Sequence, residues 1–332
     1  MSRPRILVVG VGSIGERHAR CFQRTQRVDV AICEPREDVR QRVAQDYGLT
    51  HVFAELEDAL RQDFAAAVLC IPAHLHIPFA MRFLERNIPL LIEKPLSVSE
   101  DGVDALIRVA QERAVPVSVA YVHRANPALQ AMKTALESGR FGELVQLTVV
   151  SGQHFPFYRP AYREIYYRDR AKGGGAIQDS LTHMVNAAEW LVGPVTRLVA
   201  DAEHCVLEGV DVEDTVHLVA RHGQLLANYS LNQHQPVNET SLTVMGTRGV
   251  ARLEFHRVRW LSCTEPNADW IVEQTYPLER DDLFVRQAEA FLDLLEGRAA
   301  PACTLAEGLQ TMRVNLAALQ SVEDRQWVSV AQ

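Results

Sequence analysis

Three side chains in this 332-residue sequence have types and neighbours suited to holding or moving a proton: Lys94, Asp179 and His183. Lys94 stands in Glu93-Lys94-Pro95, directly after a short apolar run with strand character at 89–92. Pro95 fixes the turn and pushes Lys94 towards extended backbone. An ammonium at the carboxyl end of a strand can hydrogen-bond a hydroxyl and stabilise an incipient alkoxide. The alternative is a surface lysine paired with Glu93. Asp179 and His183 lie four residues apart in a helical pattern, which puts them on one face. A carboxylate-oriented imidazole is a proton shuttle; the same two residues also suit a capping acid and a buried, satisfied histidine. His74 and His76 follow the strand pattern at 66–71, and either one alone is more often structural.

The run Gly10-Val11-Gly12-Ser13-Ile14-Gly15 follows a strand pattern and precedes a helical one. Its first glycine permits a tight turn, its second lets backbone approach a pyrophosphate, and its third packs helix on strand. The helix then presents free N–H groups and its positive dipole end to a diphosphate. Glu34 follows the next strand at the distance where a carboxylate accepts ribose hydroxyls. A glycine turn that serves packing alone is the competing account, but strand, loop, helix, strand and acid are all present. A carboxylate at position 34 repels a 2′-phosphate and favours NAD over NADP, while Arg36 is placed to receive that phosphate.

The segment from His154 to Arg163 is rich in rings, hydroxyls and guanidiniums, with Tyr158, Tyr162 and Arg163 among them. It reads as a sugar-binding wall or, with equal justification, as a packed connection or subunit contact. No His, Cys and Asp set has the spacing of metal ligands, so no metal is expected.

Apolar runs at 5–10, 28–33, 66–71, 89–92 and 116–121 alternate with helical patterns at 14–24, 37–47, 77–86 and 101–113. This rhythm predicts βαβ units and a parallel sheet, with Ser99 as N-cap of the last helix. After residue 125 the rhythm changes. A helix at 127–138 leads to a strand at 144–152, and a glycine triplet at 173–175 opens a helix reaching about residue 191. Successive strands with hairpin signals at 222–223 and 247–249 run from 196 to 277. Helices at 283–295 and 305–321 follow. The expected domains are residues 1–123, α/β, and 124–332, α+β, with terminal helices free to pack back on the first.

A net charge of −8 without any Lys/Arg-rich block argues against a nucleic-acid partner. The six scattered cysteines include no C-x-x-C pair, against a zinc or disulfide framework. No apolar stretch is long enough to cross a membrane. With a strand pattern so soon after Met1, no signal peptide is expected and a cytoplasmic location is.

Taken together the chain resembles the glucose–fructose oxidoreductase / inositol dehydrogenase / MocA family. The resemblance runs through the 10–15 loop, Ile71-Pro72 with His76, Glu93-Lys94-Pro95 and Tyr121-x-x-Arg124. It continues through the glycines at 139 and 142, the triplet followed by Asp179-x-x-x-His183, and Glu307-Gly308 between apolar positions. It implies a Rossmann domain binding NAD through Gly10, Gly12, Ser13, Ile14, Gly15, Glu34, Arg36, Ile71, Pro72, His76, Glu93 and Lys94. It also implies a second domain whose large, mostly antiparallel open sheet forms a homodimer or homotetramer. Lys94, Asp179 and His183 would meet at the nicotinamide, with Tyr121, Arg124, His154, Tyr158, Tyr162 and Arg163 nearer the substrate. His183 or Lys94 would carry the proton. Two departures stand out. Leu181, between Ser180 and Thr182, replaces a small residue, and Asn186 replaces an acid. The implied activity is hydride transfer at a secondary hydroxyl or carbonyl of a sugar, sugar derivative or cyclitol. Glycoside cleavage through transient oxidation and a non-catalytic NAD-dependent sensor are the alternatives.

Overall fold

The computed structural model describes residues 3–331, and the chain divides into two compact units. The first comprises residues 1–125 and 279–309, the second 126–278 and 310–332. Residues 279–309, counted with the second domain on sequence grounds, thus belong to the first unit, although that reading left terminal helices free to pack back.

In the first unit β1 (Arg5–Val9), β2 (Asp29–Cys33), β3 (His51–Phe53), β4 (Ala66–Leu69), β5 (Leu90–Ile92) and β6 (Val117–Val119) form a parallel sheet. Their order is β3-β2-β1-β4-β5-β6. Strands buried on both faces need continuous apolar runs, and Ile6, Leu7, Val8, Ala66, Ala67, Val68 and Leu69 are all fully buried. The helices between them are α1 (Ser13–Arg24), α2 (Glu37–Tyr47), the single turn α3 (Leu56–Ala59), α4 (His76–Leu84) and α5 (Val103–Glu112). Sequence reading missed β3 and α3, because three or four residues are too few to display a period. It also misplaced the start of α5. Gly102, with φ +76°, precedes the helix, and Ser99 instead bonds Asp101 through its hydroxyl.

The returning segment completes this unit. Helix α9, Asp282–Leu295 in chain order, buries Ala288, Phe291 and Leu292 in the same core as Ile6, Val8 and Phe22. Arg20 makes a two-pronged pair with Asp281, at 2.6 and 2.9 Å. The Cys303 carbonyl accepts from the Val119 N–H and the Ser118 hydroxyl. Thr304 and Glu307 form a reciprocal cap at the start of the 20-residue helix α10 (Leu305–Asp324).

The second unit begins with α6 (Pro127–Glu137), capped by the Asn126 side chain on Ala128 and Leu129. Its nine-stranded sheet contains β7 (Leu144–Gly152), β8 (Arg197–Glu203), β9 (Thr215–His222), β10 (Leu225–Asn232) and β11 (Glu239–Gly246). The remaining strands are β12 (Gly249–Glu254), β13 (Arg259–Cys263), β14 (Ile271–Thr275) and β15 (Val328–Ser329). The order is β14-β13-β12-β11-β7-β10-β9-β8-β15, antiparallel except that β7 and β10 run parallel. Alternate residues such as Val216, Leu218, Ala220 and Tyr229 join the core with α6 and α8 (Thr182–Val192). The opposite face is open, and Val150, Val219 and Leu226 are exposed on it. Between β7 and α8 lies an irregular stretch with the single turn α7 (Phe155–Tyr158), three 3₁₀ turns and a π-helical turn, Ile177–Leu181.

Candidate active site

The loop between β1 and α1 meets each demand a dinucleotide makes of it. Gly10 has φ +79°, and a Cβ there would lie 2.8 Å from the Cys70 carbonyl oxygen, so only glycine fits beside the loop after β4. At Gly15 a Cβ would fall 1.8 Å from the Gly10 oxygen. Gly12 differs: a Cβ there meets nothing nearer than an Arg36 nitrogen at 3.8 Å. A glycine is therefore not required there by the protein's own packing. No side chain caps α1, which leaves its first N–H groups for an anion. Ser13 and Ile14 open that helix, and a cavity of about 440 Å³ extends from Val11, Gly12 and Ser13 to Arg36 and Arg42.

Glu34 is 3% exposed. It accepts from the Val11 N–H at 3.0 Å and from the Arg36 N–H, Nε and Nη2 at 3.2, 2.8 and 3.2 Å. Burial raises its pKa, but the Arg36 and Val11 hydrogen bonds outweigh that and hold it below the usual carboxylate value. These four donors fill the acceptor capacity of a carboxylate. Any further donor to Glu34 would have to displace one of them.

β1 and β4 are neighbours at the point where strand order reverses, and ligands of such sheets bind beyond the carboxyl ends of the strands. The loops after β1, β4, β5 and β6 carry the remaining sequence candidates of this unit. Both ring nitrogens of His76 lie at hydrogen-bonding distance from carbonyls, 2.9 Å from Ile71 and 3.0 Å from Pro95, tying the loop after β4 to that after β5. Pro72 precedes a 3₁₀ turn between them. Glu93 takes the Lys94 N–H at 3.1 Å and lies 2.7 Å from His18 Nε2. His123, which sequence reading passed over, feels the Lys94 charge; burial first and that charge second push its pKa down to about 4, so its ring is neutral at physiological pH. Tyr121 is buried at 1% exposure. Arg124 is buried too, in a 2.7 Å pair with Glu307. Arg124 thereby ties the end of β6 to Glu307.

In the second unit the glycine triplet is a packing device. A Cβ at Gly174 would lie 2.2 Å from the Tyr167 carbonyl oxygen, and one at Gly175 would lie 2.4 Å from Glu213. Glu213 accepts from the Ile177 N–H and Arg170 and so anchors the start of the π-helical turn. That turn contains Asp179, and His183 follows in the first turn of α8. The regular i, i+4 rung expected of the two is altered, because bonding in a π-helical turn spans five residues. Asp179 is 4% exposed and accepts the Tyr166 hydroxyl at 2.6 Å. Tyr166 is a contact that sequence spacing did not reveal.

The departures from the family pattern serve the interior. Leu181 lies in the core, Ser180 accepts from Gln233, Thr182 accepts from Asn315, and Asn186 donates to Thr311. Replacing an acid with Asn186 thus suits a neutral hydroxyl partner on α10.

The aromatic segment divides in two. Tyr162 is 2% exposed and packs with Phe155 and Tyr167, its hydroxyl donating to the Glu208 carbonyl at 2.7 Å. Arg163 donates to the same carbonyl and pairs with the Glu208 side chain. His154 and Tyr158 are exposed, and the Phe157 ring stands edge-on to Tyr158. Tyr162→Ala is therefore expected to destabilise the fold by about 3–5 kcal/mol, as large aromatic truncations do. Tyr158→Ala should leave stability within about 0.5 kcal/mol and raise KM. Urea denaturation and steady-state kinetics on both variants check this.

Among the described residues no group of three or more His, Cys, Asp or Glu is gathered as for a metal, and no helix is long and apolar enough to cross a membrane.

Residues 4–121 match the model of an oxidoreductase family with an NAD-binding Rossmann fold, and residues 129–252 match the GFO/IDH/MocA C-terminal domain. The chain is 31% identical over 193 residues to inositol 2-dehydrogenase of Corynebacterium glutamicum, an alignment covering 57% of this chain and 54% of that protein. The matched part thus spans about half of that relative. Inositol 2-dehydrogenase of Rhizobium meliloti is 22% identical over 338 residues, 98% of this chain and 99% of that one. Among solved structures, the WlbA dehydrogenase from Bordetella pertussis in complex with NADH and UDP-GlcNAcA superimposes with a TM-score of 0.85 at 23% identity, covering 100% of this chain and 99% of that one. Levoglucosan dehydrogenase in complex with NADH and levoglucosan does so with a TM-score of 0.89 at 19% identity, covering both chains fully.

Proposed function

Because the chain belongs to the Gfo/Idh/MocA oxidoreductase family, we propose that it is an NAD-dependent dehydrogenase or reductase acting on a secondary hydroxyl or carbonyl of a sugar, sugar derivative or cyclitol. The observation that carries this reading is Gly12, left open on its ligand side, in a loop whose other two glycines are closed by packing. NAD supplies the hydride acceptor in one direction and NADH the donor in the other. The residues assigned to hold it are those of the 10–15 loop, with Glu34 for the ribose and Arg36 moved aside. Lys94 is assigned to hold the reacting oxygen through its ammonium. His183 is assigned the proton transfer, oriented by Asp179, whose own carboxylate is fixed by Tyr166. His154 and Tyr158, exposed on their unit, are the substrate contacts retained from the aromatic segment. The open face of the second unit's sheet is assigned to self-association, and six cysteines without a disulfide suit the cytoplasm.

A panel of sugars, sugar acids and cyclitols, with myo-inositol and levoglucosan included, assayed for NADH formation tests the activity. Tight NADH binding with no turnover on any member would overturn it in favour of a sensor. The nucleotide preference has its own test. NAD(H) is expected to bind tighter than NADP(H), and Arg36→Ala to widen that ratio about tenfold by removing one charge-assisted contact to a 2′-phosphate. Fluorescence titration reads both; an NADP(H) preference would show that Arg36 governs the pocket.

A further inference from the structure

We propose that His18 is a positioning residue for Lys94, acting through the buried carboxylate of Glu93. The proposal rests on the role assigned to Lys94 above. His18 belongs to the second turn of α1, three residues after the last glycine of the loop, and is 1% exposed. Its Nε2 is 2.7 Å from Glu93 Oε1, and Glu93 Oε2 accepts the Lys94 backbone N–H. One carboxylate thus links the helix that faces the cofactor to the backbone of the lysine. A buried carboxylate is tolerated only with such donors. Burial alone would raise the Glu93 pKa, yet the His18 hydrogen bond and the neighbouring charges bring it below its ordinary value.

The form of His18 follows from its other nitrogen. Nδ1 is buried without a hydrogen-bond partner, and the ring stands edge-on to Phe284 at 5.5 Å and tilted to Phe22 at 6.3 Å. A proton on Nδ1 would be a buried N–H facing rings, so Nε2 is the nitrogen that donates to Glu93. Glu93, held below its ordinary pKa, keeps a negative charge that acts on Lys94. The other groups facing this cluster do not supply a substitute. Burial, then the charge of Glu93, pushes the Cys70 thiol well up, which keeps it protonated. Burial lowers the His76 pKa against its carbonyl hydrogen bonds and the Glu93 charge, and His123 is neutral beside Lys94. Arg17, stacked 4.9 Å from the Phe284 ring centre, is paired with Asp281 at 3.4 Å.

The chain has only three lysines, Lys94, Lys133 and Lys172, so the test can be read directly from Lys94. Reductive methylation with ¹³C-formaldehyde preserves lysine charge and gives three side-chain signals, with that of Lys94 identified by its loss in Lys94→Arg. In His18→Leu the Glu93 carboxylate loses the donor that fixes its position and turns away from Lys94. The Lys94 signal should then titrate at lower pH than in the wild type. His18→Gln, whose amide N–H replaces the Nε2 donor, should restore the wild-type titration. With the polyol found active in the panel, kcat of His18→Leu should fall about tenfold to a hundredfold, the scale of one hydrogen bond lost by a buried charge, with NADH affinity within about twofold. A wild-type Lys94 titration in folded His18→Leu overturns the proposal. If His18→Leu does not fold, His18→Asn takes its place: its amide falls short of Glu93, so identical titrations in Asn and Gln variants overturn the proposal equally. Wild-type kcat in Lys94→Arg with a Lys94 signal that still responds to His18 overturns the role of Lys94 alone, and leaves the coupling standing.

Discussion

His183→Ala is expected to lower kcat by about 10²–10⁴-fold, the range that a positioned general acid–base contributes, without weakening NAD binding. The expectation follows from where the residue lies. His183 lies in the first turn of α8, just after a π-helical turn that holds Asp179 buried and bonded to Tyr166. Such turns cost regular hydrogen bonding and are frequent at functional sites. Asp179→Asn keeps the shape but removes the charge, so it should slow turnover and also move the pH–rate profile. Tyr166→Phe should move the profile in the opposite direction by a smaller amount, since a carboxylate with one donor fewer favours the imidazolium more strongly. Lys94→Ala should lower kcat with NAD affinity nearly unchanged. If the three residues act as a unit, Lys94→Ala combined with His183→Ala loses less than the product of the single effects. Steady-state kinetics across pH, with NADH binding measured separately, decide the matter. A near-wild-type kcat and an unmoved pH profile in His183→Ala would transfer proton transfer to Lys94.

Two substitutions in one loop should part company just as sharply. In Gly15→Ala the new methyl would lie 1.8 Å from the Gly10 carbonyl oxygen and 3.1 Å from the Cys70 side chain. Backbone must move to admit it, and overpacking of this kind typically costs about 1–3 kcal/mol or more. Both stability and NADH binding should fall. Gly12→Ala meets no such obstacle, because Gly12 has φ −63° and open space around its Cβ position. Its melting temperature should stay near that of the wild type, while NADH affinity drops by at least tenfold through loss of close approach to the diphosphate. Thermal unfolding beside fluorescence titration separates the two. Wild-type NADH affinity in Gly12→Ala would refute the assignment of this loop to the cofactor.

Much of this was legible in the residues, for identifiable reasons. The parallel sheet announced itself through uninterrupted apolar runs, which only strands covered on both faces require. The antiparallel character of the second sheet showed in hairpin turns such as that at Gly223, with φ +60°. What escaped were features set by tertiary contact. β3 is three residues long and pairs with β2 only because the fold brings it there. The π-helical turn is imposed by Glu213, more than thirty residues along the chain. The candidate site shows the same division. Gly10, Gly12, Gly15, Lys94, Asp179 and His183 are visible by motif, whereas Tyr166 and His18 matter through contacts that no spacing encodes. The resemblance in turn could not tell Tyr162, buried in a small core, from Tyr158, four residues earlier and exposed.

The return of residues 279–309 to the first unit bears on how the protein can be made. Phe291 and Leu292 fill its core, and β6 is closed by the carbonyl of Cys303. As the chain leaves the ribosome, the dinucleotide fold lacks these pieces until residues 126–278 have emerged. At about 5–20 residues per second that interval lasts roughly ten to thirty seconds. During it the apolar surface destined for α9 is exposed, so the N-terminal fragment alone is expected to express poorly as a soluble protein.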